Sequence, residues 1–393
     1  MKNKSNVFYI IGAIVLYLVA TGISYAGFTL ADQKKSTLTV VPSNVPATSK
    51  GKHVIDPSIP RTEVCPLNGL KFTEMERKKW EERRPLAVMI ENHEEARPQS
   101  GLSYADIIYE TVAEGGVTRF MGVFYCGIAV ENLAFAPVRS ARTYFVDWVS
   151  EYDALYNHVG GAGNCNDDTV DNRAKALCQI GKYGIKDMDQ FGIPFPTCFR
   201  NYDRLDHPVA TEHTMVCHSD KLYDLAKKRE WTNVDENGVA WNKNFESWKF
   251  KEEPKDSVDG SVKSISFAHW ESMVAEYGVK FEYDKTSNTY KRSTGGKPHM
   301  DLETNEQLAP KNVVIQFAKE TIGVDEHGHV IYGTIGTGKA LIFQDGKEIS
   351  GTWKKINRIA RTKFFDEKGK GIQFNPGQIW IDVVSLDTKI ATN

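Results

Sequence analysis

Residues 7–30 read VFYIIGAIVLYLVATGISYAGFTL, 24 consecutive residues without one charged side chain. At about 1.5 Å of rise per residue the run covers roughly 36 Å as a helix, slightly more than the ~30 Å hydrocarbon core of a bilayer. One transmembrane signal anchor is therefore expected there. Lys2 and Lys4 precede it in a short cytoplasmic stub, residues 1–6, which places the body on the far side by the positive-inside rule; Lys34 and Lys35 follow it and weaken the asymmetry. Ser24, Tyr25 and Ala26 offer a cleavage site of small residues, but secretory apolar regions run only about 7 to 15 residues, so an uncleaved anchor is favoured. Either outcome exports the body.

All six cysteines, Cys65, Cys126, Cys165, Cys178, Cys198 and Cys217, lie beyond the apolar run. An even number in an exported body points to disulfides, and sequence alone does not choose among the pairings. The preferred set is Cys65 with Cys126, Cys165 with Cys178, and Cys198 with Cys217. His213, Cys217 and His218 form the one mixed cluster; a helical i, i+4 spacing would bring His213 and Cys217 together, but without a fourth ligand no metal is expected, nor any cofactor.

A formal net charge of −2 leaves no electrostatic footprint for nucleic acid. The body exceeds one ordinary core, so two domains are expected. Residues 31–63 are polar and carry Pro42, Pro46, Pro57 and Pro60, as a flexible spacer does. The α+β arrangement expected next is an N-terminal α/β domain with a mixed sheet over 64–230, a polar boundary or insertion over 231–262, and a mainly β domain over 263–393. In the first domain, helices are predicted at 72–83, 143–152, 168–180 and 219–229, and strands at 86–90, 107–112 and 119–125. In the second, strands are predicted at 264–267, 279–283, 289–293, 313–317, 340–343, 349–354 and 378–384, with Trp353, Trp380 and Tyr332 as core or interface aromatics. Residues 333–340, GTIGTGKA, nearly spell a phosphate-binding loop, but Ala340 replaces the required Ser or Thr and a strand follows instead of a helix.

Polar residues gather over 84–163 where packing alone would not choose them. Glu91 and Asn92 close a strand, and strand ends in α/β folds open ligand crevices. Asp106, Glu110 and Glu114 are acidic; Arg97, Arg119, Arg139 and Arg142 are cationic; His158 ends another apolar strand before Gly160 and Gly161. The expected ligand-binding set is Glu91, Asn92, Arg97, Asp106, Glu110, Arg119, Arg139, Ser140, Arg142 and His158. Guanidinium forks suit phosphate or carboxylate. The alternative is a structural ion-pair network, because buried charges occur in pairs without any function.

The segments IENHEEARPQSG, ADIIYETVAEGGVTRF, PVRSART and HVGG, with NVVIQ, DGKEISGTWKK and FNPGQIWIDVV further on, resemble the YerB-like lipoprotein family, which is defined by a domain of unknown function. The resemblance spans both halves of the body and implies an extracytoplasmic place in the cell envelope; it implies no activity. No cysteine stands at the end of the apolar run to accept a lipid, so the anchor here is expected to be protein. The expected function is that of a membrane-anchored binding or regulatory module for an anionic envelope ligand, a cell-wall polymer or an envelope partner protein. An enzyme is the second expectation: a metal-dependent phosphotransferase or hydrolase, weakly similar to the LytR-CpsA-Psr enzymes, with Asp106 on the metal and Arg139 and Arg142 as the clamp. A Ser140–His158 hydrolase ranks lower, since no GxSxG elbow exists.

Overall fold

Thr73 starts the first helix of the computed structural model, which describes residues 56, 58–254 and 259–393. The 7–30 segment and nearly all of the spacer lie outside the described residues, and among those described no helix is long and apolar enough to cross a membrane. The Thr73 hydroxyl accepts from the Glu76 amide while the Glu76 carboxylate accepts from the Thr73 amide at 2.7 Å, a reciprocal cap that sets the entry to α1 (Glu74–Glu81). Trp80 on its inner face packs edge-on to Phe72.

The strands follow the apolar runs. From the first half come β1 (Leu86–Glu91), β2 (Ile107–Glu114), β3 (Val117–Phe124), β4 (Leu155–His158) and β5 (Lys186–Asp189). Next are β6 (Ser264–Phe267), β7 (Val279–Asp284), β8 (Thr289–Thr294) and β9 (Lys297–Pro298). Then β10 (Asn312–Phe317), β11 (Gly336–Gln344), β12 (Lys347–Lys355), β13 (Lys363–Asp366), β14 (Ile379–Val384) and β15 (Ala391–Thr392) complete the two largest sheets, beside shorter strand pairs elsewhere. One ten-stranded mixed sheet has the order β13-β12-β11-β10-β14-β2-β3-β1-β4-β5, and a five-stranded sheet has the order β9-β8-β7-β6-β15. Strands of both halves of the chain thus lie in one sheet. The junction is β14 beside β2, parallel, with Asp382 opposite Glu110.

Why the core strands sit centrally is visible in their burial. Every residue of β1, β10 and β14 is buried, as a strand covered on both faces requires. One face carries α2 (Thr143–Val149), with Tyr144, Phe145 and Trp148, and the aromatics Trp241 and Trp248 from the polar 231–262 stretch, which is pinned to the sheet by these two side chains. The other face meets the small sheet through Ile265, Phe267, Phe281 and Tyr290. Trp353, Trp380 and Tyr332 are all core.

Two local readings change. The helix predicted over 168–180 is confined to α3 (Ala176–Lys182), because Asn164, Asp167 and Asp171 turn their carboxyl or amide oxygens onto amides two residues ahead and hold 164–173 in turns. The glycine-rich 333–340 stretch is strand from Gly336 onward. Gly338 is required there, since a Cβ would meet Trp353 Nε1 at 2.5 Å, the atom that donates to the Phe317 carbonyl. Helix α4 (Ser219–Lys228) falls where the amphipathic pattern puts it.

The disulfides join Cys65 to Cys126, Cys165 to Cys178 and Cys198 to Cys217, the preferred set, and no cysteine is free. Cys198 and Cys217 face each other on paired strands, Cys198–Arg200 and Met215–His218. That bond removes Cys217 as a metal ligand. Nor does a helix bring His213 and Cys217 together, since the strand Met215–His218 follows His213.

Candidate functional site

Six strands of the main sheet, β10, β14, β2, β1, β4 and β5, run in one direction, so their carboxyl ends share an edge of the fold. That edge is where open α/β sheets place ligands. Successive residues leave a strand on opposite faces, and the expected site residues other than Asp106 and His158 accordingly divide between the two faces.

On the α2 face, Glu91 ends β1 and is buried. Arg139 Nε lies 3.1 Å from one of its oxygens and His213 Nδ1 2.8 Å from the other. The segment carrying Arg139 is clamped between two strand ends: the Arg139 amide donates to the Met89 carbonyl at 3.0 Å and the Val159 amide donates to the Arg139 carbonyl at 3.1 Å. Opposite Glu91 in register stands Arg119, which donates to the Ser140 carbonyl at 3.1 Å. Ser140 therefore contributes backbone to the cluster. Arg142 pairs with Glu114, and Arg119 approaches the same carboxylate at 3.7 Å. Burial opposes the charge of Glu114, but Arg142 and then Arg119 outweigh it and hold its pKa at about 2. Arg119 is pushed the other way: burial, then the neighbouring charge of Arg142, with Arg139 beyond, lowers it to about 10.

On the small-sheet face lies a network that the sequence reading only half identified. Arg292 of β8 donates to both oxygens of Glu110, at 3.0 and 2.8 Å, and both side chains are fully buried. Thr118 donates to Glu110 Oε1 at 2.8 Å and Trp380 Nε1 to Oε2 at 3.1 Å. Asn92 bridges from Thr118 to Arg97, whose guanidinium also donates to the Asn92 carbonyl and is stacked over Tyr277. Asp382 and His269 complete the cluster, 3.7 Å apart. Burial opposes the Glu110 charge, and Arg292 with His269 and the Thr118 bond together outweigh it; Asp382, buried beside that charge, is raised well above the usual carboxylate range. Burial lowers His269 to about 4. Glu110, His269 and Asp382 offer ligand atoms close enough for a metal, but Arg292 already supplies the cation there.

Asp106 joins neither group. It precedes β2, at the opposite end of that strand, and accepts from the amides of Tyr125, Cys126 and Gly127 and from Asn68 Nδ2, at 2.6 to 3.2 Å. Four donors make it a brace for the turn after β3 and the Cys126 bridge. His158 is likewise engaged on both ring nitrogens, by the Gly160 carbonyl at 2.8 Å and Asp187 at 3.0 Å, which leaves neither for Ser140. Arg292, Asp382, His269 and His299 were absent from the expected set. The available signal was a charged residue in an otherwise inward-facing position: Arg292 alternates with Tyr290 and Thr294, and Asp382 interrupts IWIDVV.

Two family profiles match the chain: the N-terminal domain described as "Protein of unknown function (DUF3048)" over residues 72–232, and its C-terminal domain over 269–381. "Putative lipoprotein YerB" of Bacillus subtilis (strain 168) is 31% identical over 322 residues, covering 81% of this chain and 86% of that protein. The crystal structure of YerB from Bacillus subtilis superposes with a TM-score of 0.67 at 28% identity, covering 84% of this chain and all of that one.

Proposed function

Because the chain belongs to the DUF3048 family, with both of its domains present, we propose that it is an extracytoplasmic, membrane-anchored protein of the cell envelope whose body binds an anionic group at the carboxyl end of β1. Three lines support the location: the name of the relative, which is that of a lipoprotein; the three disulfides, which persist in oxidising compartments; and the apolar run at 7–30. The finer division into an α/β domain that carries the site and a mainly β domain that braces it belongs to the same proposal. The observation that carries the binding role is the crowding of Arg119, Arg139 and Arg142 around Glu91 and Glu114. Arg119, lowered by burial and by the charges of Arg142 and Arg139 beside it, is relieved by an incoming anion, and Arg139 keeps an exposed edge, its side chain 27% accessible. The anion is a phosphate or carboxylate of an envelope polymer or partner protein; neither nucleic acid nor a catalytic step is part of this reading.

Arg139 and Arg142 have different expected roles. Inorganic pyrophosphate titrated against the full-length protein should bind with a salt-dependent affinity that Arg139→Ala lowers at least tenfold, while thermal melts show the fold retained, since His213 stays on the other oxygen of Glu91. Arg142→Ala should cost about 3 kcal/mol, because it strands Glu114 beside a buried face. Unchanged pyrophosphate affinity in Arg139→Ala would refute the anion site.

A further inference from the structure

Two short turns, distant in sequence, meet over the end of β1. His93 caps the turn Glu94–Ala96, and His213 ends the turn Thr211–His213. Their rings stack at 4.8 Å with only 17° between planes, and Glu95 reaches the same point. One ligand atom from each of His93, Glu95 and His213 lies within 4.8 Å of the others.

We propose that His93, Glu95 and His213 bind one divalent first-row metal ion, best matched by Zn²⁺. His213 Nε2 and Glu95 Oε2 are 3.6 Å apart. That is too long for a hydrogen bond, yet it suits two ligands about 2.0–2.2 Å from a shared ion at an angle of about 120°. The ring is also held in place. His213 Nδ1 is bonded to Glu91 at 2.8 Å, which directs Nε2 toward Glu95. A buried carboxylate orienting an imidazole in this way is the outer support that metal-binding histidines use.

His93, half-buried, supplies the third ligand once its ring turns out of the stack with His213, because in-plane lone pairs of two near-parallel rings do not meet on one ion. Its Nδ1 holds only a long 3.3 Å bond from the Glu95 amide, which a coordinating ring gives up at little cost. Glu95 is 59% accessible and His213 only 5%, so the set has a fixed base and an open approach. Three protein ligands on a solvent-facing ion leave a position for water or an external donor. The inference does not depend on the arginine reading; it needs only these three side chains and Glu91.

The test uses full-length protein stripped with a chelator and then titrated with ZnCl₂ by calorimetry and with CoCl₂ by visible absorption. One equivalent of each should bind, with cobalt giving the bands of a four- or five-coordinate centre. His93→Ala and Glu95→Gln should each weaken Zn²⁺ binding at least tenfold, and Glu91→Gln about 10- to 100-fold through loss of orientation. His207→Ala, an exposed histidine paired with Asp206, should bind as the wild type does. Because His213 is buried, the more accessible pair carries the test, and circular dichroism confirms that each variant is folded. Absence of one-to-one binding, or unchanged affinity in both His93→Ala and Glu95→Gln, overturns the site. Zn²⁺ binding retained while pyrophosphate binding is absent would refute the arginine reading alone, and the reverse would refute only this one.

Discussion

Arg292→Ala is expected to destabilise the protein by about 3–5 kcal/mol in chemical denaturation, enough to unfold a marginal body. The guanidinium is fully buried, satisfies both oxygens of Glu110 and lies 4.7 Å above the Trp380 ring. Its removal leaves Glu110 beside Asp382 with no cation. Two desolvated carboxyls without a partner favour protonation, so their folded pKa values rise above the unfolded ones. Stability tied to a raised carboxyl pKa is present at low pH and lost as pH climbs through the folded value. The variant's deficit should therefore be smaller near pH 5 than near pH 8. Combining Arg292→Met with Glu110→Gln should recover part of the loss, because no ion is then stranded. A deficit below about 1 kcal/mol in the single variant would show that water reaches the cluster and that burial has been overstated.

Glu151→Ala should be at least as damaging, because one carboxylate serves two buried cations. Lys355 Nζ and Thr362 Oγ1 meet Glu151 Oε1 at 2.8 and 2.6 Å; Arg361 and the Thr362 amide meet Oε2 at 2.8 and 3.1 Å. Burial already lowers the Lys355 pKa, with Glu151 opposing it. Without Glu151 the Lys355 pKa falls further, while Arg361 stays charged, 3.6 Å from the Trp248 ring centre. A loss of about 5 kcal/mol is expected. Thermal melts of Glu151→Ala alone and combined with Lys355→Met measure it, and the second substitution should return part of the stability. Equal melting of wild type and Glu151→Ala would contradict the burial of the triad.

Local chemistry made much of the fold legible. β1 and β14 were found as strands because residues covered on both faces are nearly all apolar, and α4 was found as a helix over 219–229, where Leu222, Leu225 and Ala226 share its inner side. What stayed illegible was whatever depends on residues far apart. Glu110 was singled out, but its partner Arg292 is 182 positions away. Arg139 and Glu91 both stood in the expected set, whereas His213, on the other oxygen of Glu91, was read with Cys217 because sequence offers only the near neighbour. Asp106 looked like the other acids of its segment. Nothing in a single sequence distinguishes a carboxylate that receives backbone amides from one that faces solvent. The division of the charged residues between two faces follows from strand alternation, yet the side each strand turns to the small sheet is fixed only when that sheet exists.

The position of β14 bears on how such a molecule is made. Its flank against β2 joins groups 270 residues apart, as in the bond from Trp380 to Glu110. Until residues 379–384 are available, β2 presents an unpaired edge and β10 has no parallel neighbour. A nascent chain therefore cannot complete its first half and set it aside as a finished unit. Parallel pairing across so long a loop is slow, and an open apolar edge is an invitation to aggregate. A body built this way closes its main sheet last, like the fastening of a clasp, once residues 379–384 are available to pair with β10 and β2.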